Sequence, residues 1–403
     1  GKRVISSSSL TVSDDRFGAW VCGDRQMMVG HQDTLNGLPI GVKDVIATCD
    51  YPTRCGTDLP HTVIQALLGK GQADCVSDLK QAGAVVAGKT VTAELATYQP
   101  GNTVNPLSVT RSPGGSSSGS AAAVAAGDVR LALATQTAGS TIRPASYCGL
   151  YGFKPSFGRH ALAGVLSTSP TLDTLGLIAD ELGLIQAADR ALTDQALLSG
   201  ETEAPLPRRL VLYRTSNWAV LPKEHQEQIE KLAHRLAMVF AEYREQDASP
   251  DLEALAAHQR TVHAGELASV LGWLVTQYGG LVSDTFKEFV TEGQGYAGSV
   301  LDGAIRAIQA VRDRADEYVP PDEVWLTPSV TSVAPPIEAG TGDPLFCRQW
   351  TALGVPCLSV PLLYESDTGL PYGPQLIMSR GEDKRLLEVA REMVKLIGEG
   401  EQG

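Results

Sequence analysis

Apolar and polar positions along the chain form blocks that predict both strands and helices. Short, continuous apolar runs are typical of buried strands, and longer runs with apolar residues every three or four positions are typical of helices. Because the two kinds of block alternate, the pattern predicts an α/β fold. Helices are predicted over residues 73–82, 120–127, 223–241, 251–277, 299–318 and 386–396. Strands are predicted over residues 39–46, 84–87, 131–136, 209–213, 324–328, 355–361 and 373–378.

One stretch, residues 111–159, is organised differently. It opens with RSPGGSSSGSAAAVAAG, continues through LALATQTAGSTIRPASYCG and ends with LYGFKPSFGR. Gly114 and Gly115 let the backbone adopt conformations that are closed to other residues, and a second turn of small residues surrounds Gly139. A flexible linker can have this composition, but a linker does not alternate with apolar segments that must be buried. The stretch therefore predicts a rigid scaffold whose turns allow a ligand to approach the backbone.

The composition fits a globular protein that does not bind nucleic acid. The chain has 403 residues, of which 43% are hydrophobic and 20% charged, enough to bury a large core. Its formal net charge of -13 repels nucleic acid and anionic membranes, so neither is expected as a partner. No run of about 18 apolar residues is present, and the N-terminal residues lack the apolar segment of a signal peptide. A cytoplasmic protein is expected.

The cysteines and histidines predict neither disulfides nor a metal site. The seven cysteines are odd in number, scattered and without a CxxC motif, so free thiols in a reducing compartment are expected. The seven histidines form no HExxH motif and no paired spacing. We therefore expect no metal and no other cofactor.

Three short motifs suggest competing functions. Residues 83–90 match the phosphate-binding pattern GxxxxGK[ST], but their middle positions form an apolar strand rather than a loop. Residues 77–80 match the SxxK pattern of penicillin-binding proteins, yet they lie on the polar face of a helix. Residues 115–119 match GxSxG, which would make Ser117 the nucleophile of a Ser-His-Asp esterase. The histidine of this open alternative would be His160, His225 or His263.

The apolar run 39–46 contains one lysine, Lys43. Lysine is rarely buried without a partner, because moving its charge out of water is costly. The run can be an edge strand with Lys43 in water, or a buried strand with a functional lysine. The residues alone leave both interpretations open.

Several of these segments together resemble the amidase signature family of serine hydrolases. The resemblance covers GLPIGVKDVIATCDYPT from residue 37, AGAVVAGKTVTAELA from residue 82, PGGSSSGSAAAVAAG from residue 113 and TQTAGSTIRPASYCGLYGFKPSFGR from residue 135. SPTLDTLG from residue 169 and TGDPLFCRQWTALGVPCLSVPL from residue 341 extend it. The match is dense from about residue 37 to 180, absent from about 200 to 320, and fair from 322 onwards.

The resemblance implies a catalytic role for three residues. Ser140 in QTAGS corresponds to the family's nucleophile, Ser116 in PGGSS to the serine that the family holds in a cis peptide, and Lys43 in GVKDV to the base. Burial disfavours the ammonium form of a lysine, and a neutral lysine can activate a serine hydroxyl when no histidine is available. Ser116 would relay the proton between Ser140 and Lys43.

The same resemblance implies supporting roles for the two turns of the central stretch. The backbone N–H groups of Thr137, Ala138, Gly139 and Ser140 would line an oxyanion hole. Ser117 and Gly115 would support the relay.

The chain departs from the family's pattern on either side of the predicted nucleophile. Many members have Asp where this chain has Gln136. Many have an Ile-Arg pair directly after the nucleophile, whereas here Thr141 intervenes and Arg143 is shifted by one position. These departures affect the expected supporting contacts rather than the three catalytic positions.

The resemblance also implies the fold and the reaction. It implies one amidase domain over residues 1–403, with a large central mixed β-sheet flanked by helices on both faces. Within it, residues 1–36 would be a variable segment, 37–180 the signature core, 200–320 a variable helical region on the substrate side, and 322–403 the C-terminal part of the core.

The implied reaction is hydrolysis of a small carboxamide or urea-type C–N bond through an acyl-enzyme on Ser140, with water as co-substrate. A homodimer would be compatible with it. The alternative within this family is an amidotransferase-like subunit that functions only with partner proteins.

Overall fold

The computed structural model describes residues 12, 14–28, 30–201, 203 and 205–400. In chain order, its strands β1 to β11 are Trp20–Gly23, Pro39–Lys43, Val85–Thr90, Leu131–Gln136, Tyr151–Lys154, Thr174–Ala179, Arg209–Arg214, Glu242–Asp247, Glu323–Thr327, Cys357–Ser359 and Gln375–Ile377. These strands form one sheet in the order β1-β3-β2-β4-β6-β5-β10-β11-β9-β7-β8. The sheet is mixed: β2 pairs in parallel with β3 and β4, and β7 with β8 and β9, whereas the other pairs are antiparallel.

Helices of very different length connect the strands. In the described ranges, helices α1 to α14 are His61–Leu68, Asp74–Gln81, Ser118–Ala125, Ile142–Cys148, Leu182–Leu192, Gln195–Gly200, Lys223–Leu236, Pro250–Leu271, Trp273–Tyr278, Asp284–Gln294, Gly298–Asp313, Ala315–Tyr318, Arg348–Leu353 and Asp383–Gly400. Short 3₁₀ helices occupy Arg25–Met27, Glu94–Ala96, Trp218–Val220, Ala237–Val239, Gly279–Leu281 and Ile337–Ala339. The predicted α/β fold with a large mixed sheet is confirmed.

Three neighbouring parallel strands carry the predicted site. β2 lies between β3 and β4 and runs parallel to both. Parallel strands end at the same edge of a sheet, so Lys43, Thr90 and Gln136, the last residues of β2, β3 and β4, share one edge. Ligands of sheets of this kind bind at the carboxyl ends of the strands.

Helix α3 packs very closely on this part of the sheet because its residues are small. Ser118 to Val124 are all buried. A Cβ atom on Gly119 would lie 2.2 Å from the backbone nitrogen of Val91 and 2.3 Å from the carbonyl oxygen of Ala19. The glycine therefore permits the helix to approach the backbone. This approach places residues 113–117, which we call the serine-rich loop, next to the end of β2.

The predicted strands that carry the site are confirmed, and several boundaries elsewhere are corrected. The strand predicted over 131–136 has those bounds, and the apolar strand inside the GxxxxGK[ST] match extends to Thr90, so this segment is not a phosphate loop. The helix predicted over 251–277 is divided at Gly272, where a Cβ atom would lie 2.3 Å from the carbonyl oxygen of Ala268. The helix predicted over 299–318 ends at Asp313.

Two of the strands that were not predicted lie at the edges of the sheet. β8 has the polar sequence EYREQD and lies at one edge of the sheet, where its residues are half-buried or exposed. β1 lies at the other edge, within residues 1–36, for which no strand was predicted. An edge strand is paired on one side only, and a short one leaves a weak pattern in the sequence.

Candidate active site

Lys43 lies at the end of β2 and is completely buried. Its Nζ atom is 2.7 Å from Ser116 Oγ, 2.9 Å from Ser117 Oγ and 2.7 Å from Thr135 Oγ1. Because β2 is an inner strand, the alternative of an edge strand with Lys43 in water is wrong. The structure thus brings the predicted lysine together with both predicted loop serines, and it adds Thr135, which the sequence did not suggest.

The surroundings of Lys43 favour its neutral form. The pKa of Lys43 is held well below its usual value, chiefly because burial penalises the ammonium ion. The positive charge of Arg143 acts in the same direction, whereas the carboxylate of Asp173 opposes the shift. A neutral amine at this position has a lone pair that can accept a proton.

The serine-rich loop has a backbone that only certain residues can adopt. Gly114 has a φ angle of +87°, which favours glycine, and the peptide bond between Gly115 and Ser116 is cis. The Gly115 carbonyl accepts a hydrogen bond from Arg143 Nη2 at 2.8 Å, and the Ser116 carbonyl accepts one from the Ala93 amide at 2.9 Å. These contacts hold the hydroxyl groups of the loop beside Lys43.

Ser140 lies in the turn between β4 and α4 and remains slightly accessible, with 9% of its surface exposed. Within the described residues, no hydrogen bond joins Ser140 Oγ to Ser116 Oγ. Hydrogen bonds between catalytic groups are often long without substrate and tighten only when it binds. The structure therefore shows the contact between Lys43 and Ser116, but not the second contact of the predicted relay.

The turn that contains Ser140 is held in place by hydrogen bonds to its backbone carbonyl groups. Thr137 O accepts from Gln259 Nε2 at 2.9 Å, Ala138 O from Thr351 Oγ1 at 2.7 Å, and Gly139 O from the Arg143 amide at 3.0 Å. In contrast, the N–H groups of residues 137–140 donate to no acceptor in the part of the chain that the structure describes. We name residues 137–140 the oxyanion loop, because its free N–H groups are what an oxyanion hole requires.

Asp173 was not among the predicted site residues, yet it supports the oxyanion loop. Its carboxylate accepts from Thr137 Oγ1 at 2.7 Å, from Thr168 Oγ1 at 2.7 Å, and from the backbone amides of Thr168 and Ser169. Burial raises the pKa of Asp173, and these hydrogen bonds oppose the rise. Its position in the SPTLDTLG segment was a signal for this role, but the pattern does not show which group it contacts.

Gln136 provides contacts at the start of helix α4. Its Oε1 atom accepts from the amides of Thr141 and Ile142, both at 3.0 Å, and its Nε2 atom donates to Thr351 Oγ1 at 3.0 Å. Thr351 in turn donates to the oxyanion loop. The departure from Asp at this position therefore keeps the acceptor for the helix and adds a donor for α13.

Arg143, the second departure, connects three segments of the site. Besides the Gly115 carbonyl, it contacts the Thr341 carbonyl at 2.9 Å through Nε. A Cβ atom on Gly139 would lie 2.8 Å from Arg143 Nη1. The guanidinium group thus lies against the oxyanion loop, the serine-rich loop and the loop before α13.

The three histidines of the esterase alternative have other partners or none. His160 contacts Asp189 at 2.8 Å, His225 contacts Glu365 at 2.8 Å, and both ring nitrogens of His263 lack a partner. Over the described ranges, none of them forms a hydrogen bond with Ser117. The basic group next to Ser117 is Lys43 instead, which does not fit a Ser-His-Asp arrangement.

The described ranges show neither a metal-binding cluster nor a membrane-spanning helix. They contain no group of three or more His, Cys, Asp or Glu side chains that could hold a metal ion. None of the helices found there is long and apolar enough to cross a membrane.

The fold and the sequence together define the class of protein. The chain belongs to the amidase family, because the family model described as Amidase matches residues 23–263. A glutamyl-tRNA(Gln) amidotransferase subunit from Rhodopirellula baltica is 30% identical over 411 residues, which cover 88% of this chain and 81% of the relative. The protein of the same name from Syntrophus aciditrophicus is 28% identical over 420 residues, which cover 91% of this chain and 85% of the relative.

Solved structures agree with this assignment. A crystal structure of an amidase superposes with a TM-score of 0.77 at 28% identity, covering 90% of this chain and 84% of that one. 6-Aminohexanoate cyclic dimer hydrolase superposes with a TM-score of 0.74 at 22% identity, covering 90% and 85% of the two chains. The second likeness shows the fold alone.

Proposed function

We propose that this protein hydrolyses a small carboxamide or urea-type substrate through an acyl-enzyme on Ser140. The observation that carries the proposal is the buried Lys43, whose Nζ atom contacts Ser116 and Ser117 in the loop before α3. The free N–H groups of the oxyanion loop support it, because they are available to a substrate oxygen.

The hydrogen bonds around Lys43 can be satisfied by a neutral amine. Ser117 Oγ donates to the Thr135 carbonyl at 3.2 Å, so this hydroxyl accepts a hydrogen bond from Lys43. The second N–H of the amine donates to Thr135 Oγ1. The lone pair of Nζ is then left for the Ser116 hydroxyl, which becomes the donor in that contact.

In the proposed reaction, Ser140 Oγ attacks the carbonyl carbon of the amide. Its proton moves to Ser116 Oγ while the Ser116 proton moves to Lys43 Nζ. The negative charge on the substrate oxygen is stabilised by the N–H groups of the oxyanion loop, each of which typically contributes about 10²–10³ in rate. The C–N bond then breaks as Lys43 returns its proton through Ser116 to the leaving nitrogen. Water hydrolyses the acyl-enzyme by the same relay, releasing the acid.

The test is ammonia or amine release from a panel of aliphatic, aromatic and urea-type amides. We expect turnover by the wild type, loss of turnover in Ser140→Ala, and labelling of Ser140 by a fluorophosphonate. Ser118→Ala is the control, because Ser118 Oγ contacts the Val91 carbonyl rather than Lys43. Labelling of Ser117 would favour the esterase alternative. Failure of every amide, together with an unlabelled Ser140, would refute the proposal.

A second candidate function is that of one component of an amidotransferase. It is favoured by the relatives named as glutamyl-tRNA(Gln) amidotransferase subunits, one of which is 30% identical over most of both chains. In that case the isolated chain would release ammonia slowly, and the rate would rise in a complex purified with its natural partners. If turnover per active site is the same with and without those partners, the protein is a hydrolase that acts alone.

A further inference from the structure

Half of the buried polar side-chain atoms without a partner in the described residues lie on two helices, α8 and α13. Of the twelve such side-chain atoms in the described part of the chain, six belong to α8 or α13. They include Gln259 Oε1, both ring nitrogens of His263 and Arg348 Nε. Buried polar groups normally have partners, so a group of unpaired ones indicates a place for a ligand or ordered water.

Both helices contact the oxyanion loop directly. Gln259 on α8 donates to the Thr137 carbonyl, and Thr351 on α13 donates to the Ala138 carbonyl. His263 lies one helical turn beyond Gln259, and residues four apart share one face of a helix. We call the region of Gln259, His263 and Arg348 the α8–α13 junction.

The charges at this junction are not balanced by protein carboxylates. Arg260 is paired with Glu292 at 2.9 Å, and Glu266 accepts hydrogen bonds from Ser169 and Thr171. Arg348, in contrast, is partly buried, forms no ion pair with a described carboxylate, and has no partner for its Nε atom. A guanidinium group without a carboxylate partner is available to a negatively charged ligand.

His263 has the properties of a hydrogen-bonding residue rather than a second cation. It is buried between the rings of Tyr98 and Phe289, at centroid distances of 6.3 and 4.8 Å. Burial, assisted by Arg260 and Arg348, lowers the pKa of His263 to about 3. A neutral imidazole has one N–H donor and one acceptor. The acceptor, like Gln259 Oε1, requires an O–H or N–H donor, which a bound water can supply.

We propose that the α8–α13 junction is the specificity site of this amidase, and that its substrates carry a carboxylate at the end of the acyl group. Arg348 pairs with this carboxylate and His263 donates a hydrogen bond to it. This inference rests on the proposed function, because it places the scissile amide at Ser140. It deepens that function by naming the substrate class.

The test compares pairs of amides that differ only in charge. The acids are succinamate, glutaramate and adipamate, and in each neutral partner an isopropyl group replaces the carboxylate. A hydrogen bond to a charged group contributes about 1.5–3 kcal/mol, so we expect kcat/KM for the preferred acid to exceed that of its partner by about ten- to hundred-fold. Arg348→Met should reduce this ratio to near one, chiefly through KM, and Arg348→Lys should restore part of it.

The matched control is Arg190→Met, which removes an exposed arginine on α5 and should preserve the ratio. A wild-type ratio of one or less for all three pairs would overturn the proposal, as would a ratio that Arg348→Met and His263→Phe leave unchanged. Turnover of the neutral amides and labelling of Ser140 report on the hydrolase function separately.

If no amide is hydrolysed, the binding of a dicarboxylate tests the specificity site instead. Titration calorimetry with glutarate on Ser140→Ala should show binding that is lost when Arg348→Met is added. Absence of dicarboxylate binding would refute the specificity site even if the hydrolase function is established.

Discussion

Replacing Lys43 by methionine separates its role as a base from its role in packing. Methionine keeps most of the volume and removes the lone pair that contacts Ser116. General-base catalysis typically contributes about 10²–10⁴-fold, and Lys43 also orients Ser117 and Thr135. We therefore expect kcat for amides to fall by at least about 10³-fold. Lys43→Arg should be equally inactive, because a guanidinium does not lose its proton in a protein.

The lowered pKa of Lys43 determines how both the rate and the stability change with pH. Since burial holds the pKa of Lys43 below its usual value, the wild-type rate should rise with pH through one ionisation on the acid side of about 10.4 and then level off. The unfolded chain binds this proton more strongly than the folded one. Stability from this group is therefore lost as pH falls below about 10.4, at about 1.4 kcal/mol per pH unit, until the folded-state pKa is reached.

The assay combines pH–rate profiles with unfolding measurements over the same pH range. In Lys43→Met, the ionisation should vanish from the pH–rate profile. The free energy of unfolding should also lose the part of its pH dependence that Lys43 contributes in the wild type. Lys154→Met is the matched control. Lys154 is also completely buried with a lowered pKa, but it donates to the Pro155 carbonyl instead of a site serine. It should show a similar change of slope with near-normal activity.

The result that would refute this reasoning is specific. If Lys43→Arg retains near-normal amide hydrolysis with an unchanged pH profile, Lys43 is a structural charge and the base lies elsewhere. If Lys43→Met is inactive but shows no change in the pH dependence of stability, the lysine is charged in the folded enzyme. The relay through Ser116 would then need another proton acceptor.

Three further substitutions test the supporting contacts. Asp173→Asn removes a charge that raises the pKa of Lys43, so the ionisation seen in the pH–rate profile should move to lower pH. A pH–rate profile that does not move would show that Asp173 is already neutral. Gln259→Leu removes the donor to the Thr137 carbonyl and should lower kcat by about tenfold for one lost hydrogen bond, whereas unchanged kinetics would mean that the loop needs no such support. Gln136→Leu leaves two buried amides without their acceptor and should cost about 1–3 kcal/mol in denaturant unfolding, more than Gln136→Glu, which keeps an acceptor.

The sequence predicted the parts of the site that are local in the chain. The lysine within an apolar run, the glycine-rich loop and the small-residue turn each have a recognisable pattern, and the resemblance connected them. The burial of Lys43 is confirmed, and the structure brings it together with Ser116 and Ser117. The catalytic roles of these residues and of Ser140, and the division of the chain into one amidase domain, stay predictions.

The supporting contacts could not be predicted, because they join residues far apart in the chain. Gln259 is 122 positions from Thr137, and Thr351 is 213 positions from Ala138. Each is one polar residue in an otherwise ordinary helix, so its own segment gives no sign of its partner. Only the packing of α8 and α13 against the end of β4 assigns these side chains to the oxyanion loop.

The departure at Gln136 is best understood through the charges around Lys43. A carboxylate near this lysine favours the ammonium form, and Asp173 already acts in that direction. Glutamine accepts the same pair of helix amides that a carboxylate could accept, but it adds no negative charge at the end of β4. Arg143, although shifted by one position, supplies a positive charge that opposes the effect of Asp173 on the pKa of Lys43. The glutamine therefore keeps the hydrogen bonds at the start of α4 and, together with Arg143, favours the neutral lysine that the proposed reaction needs.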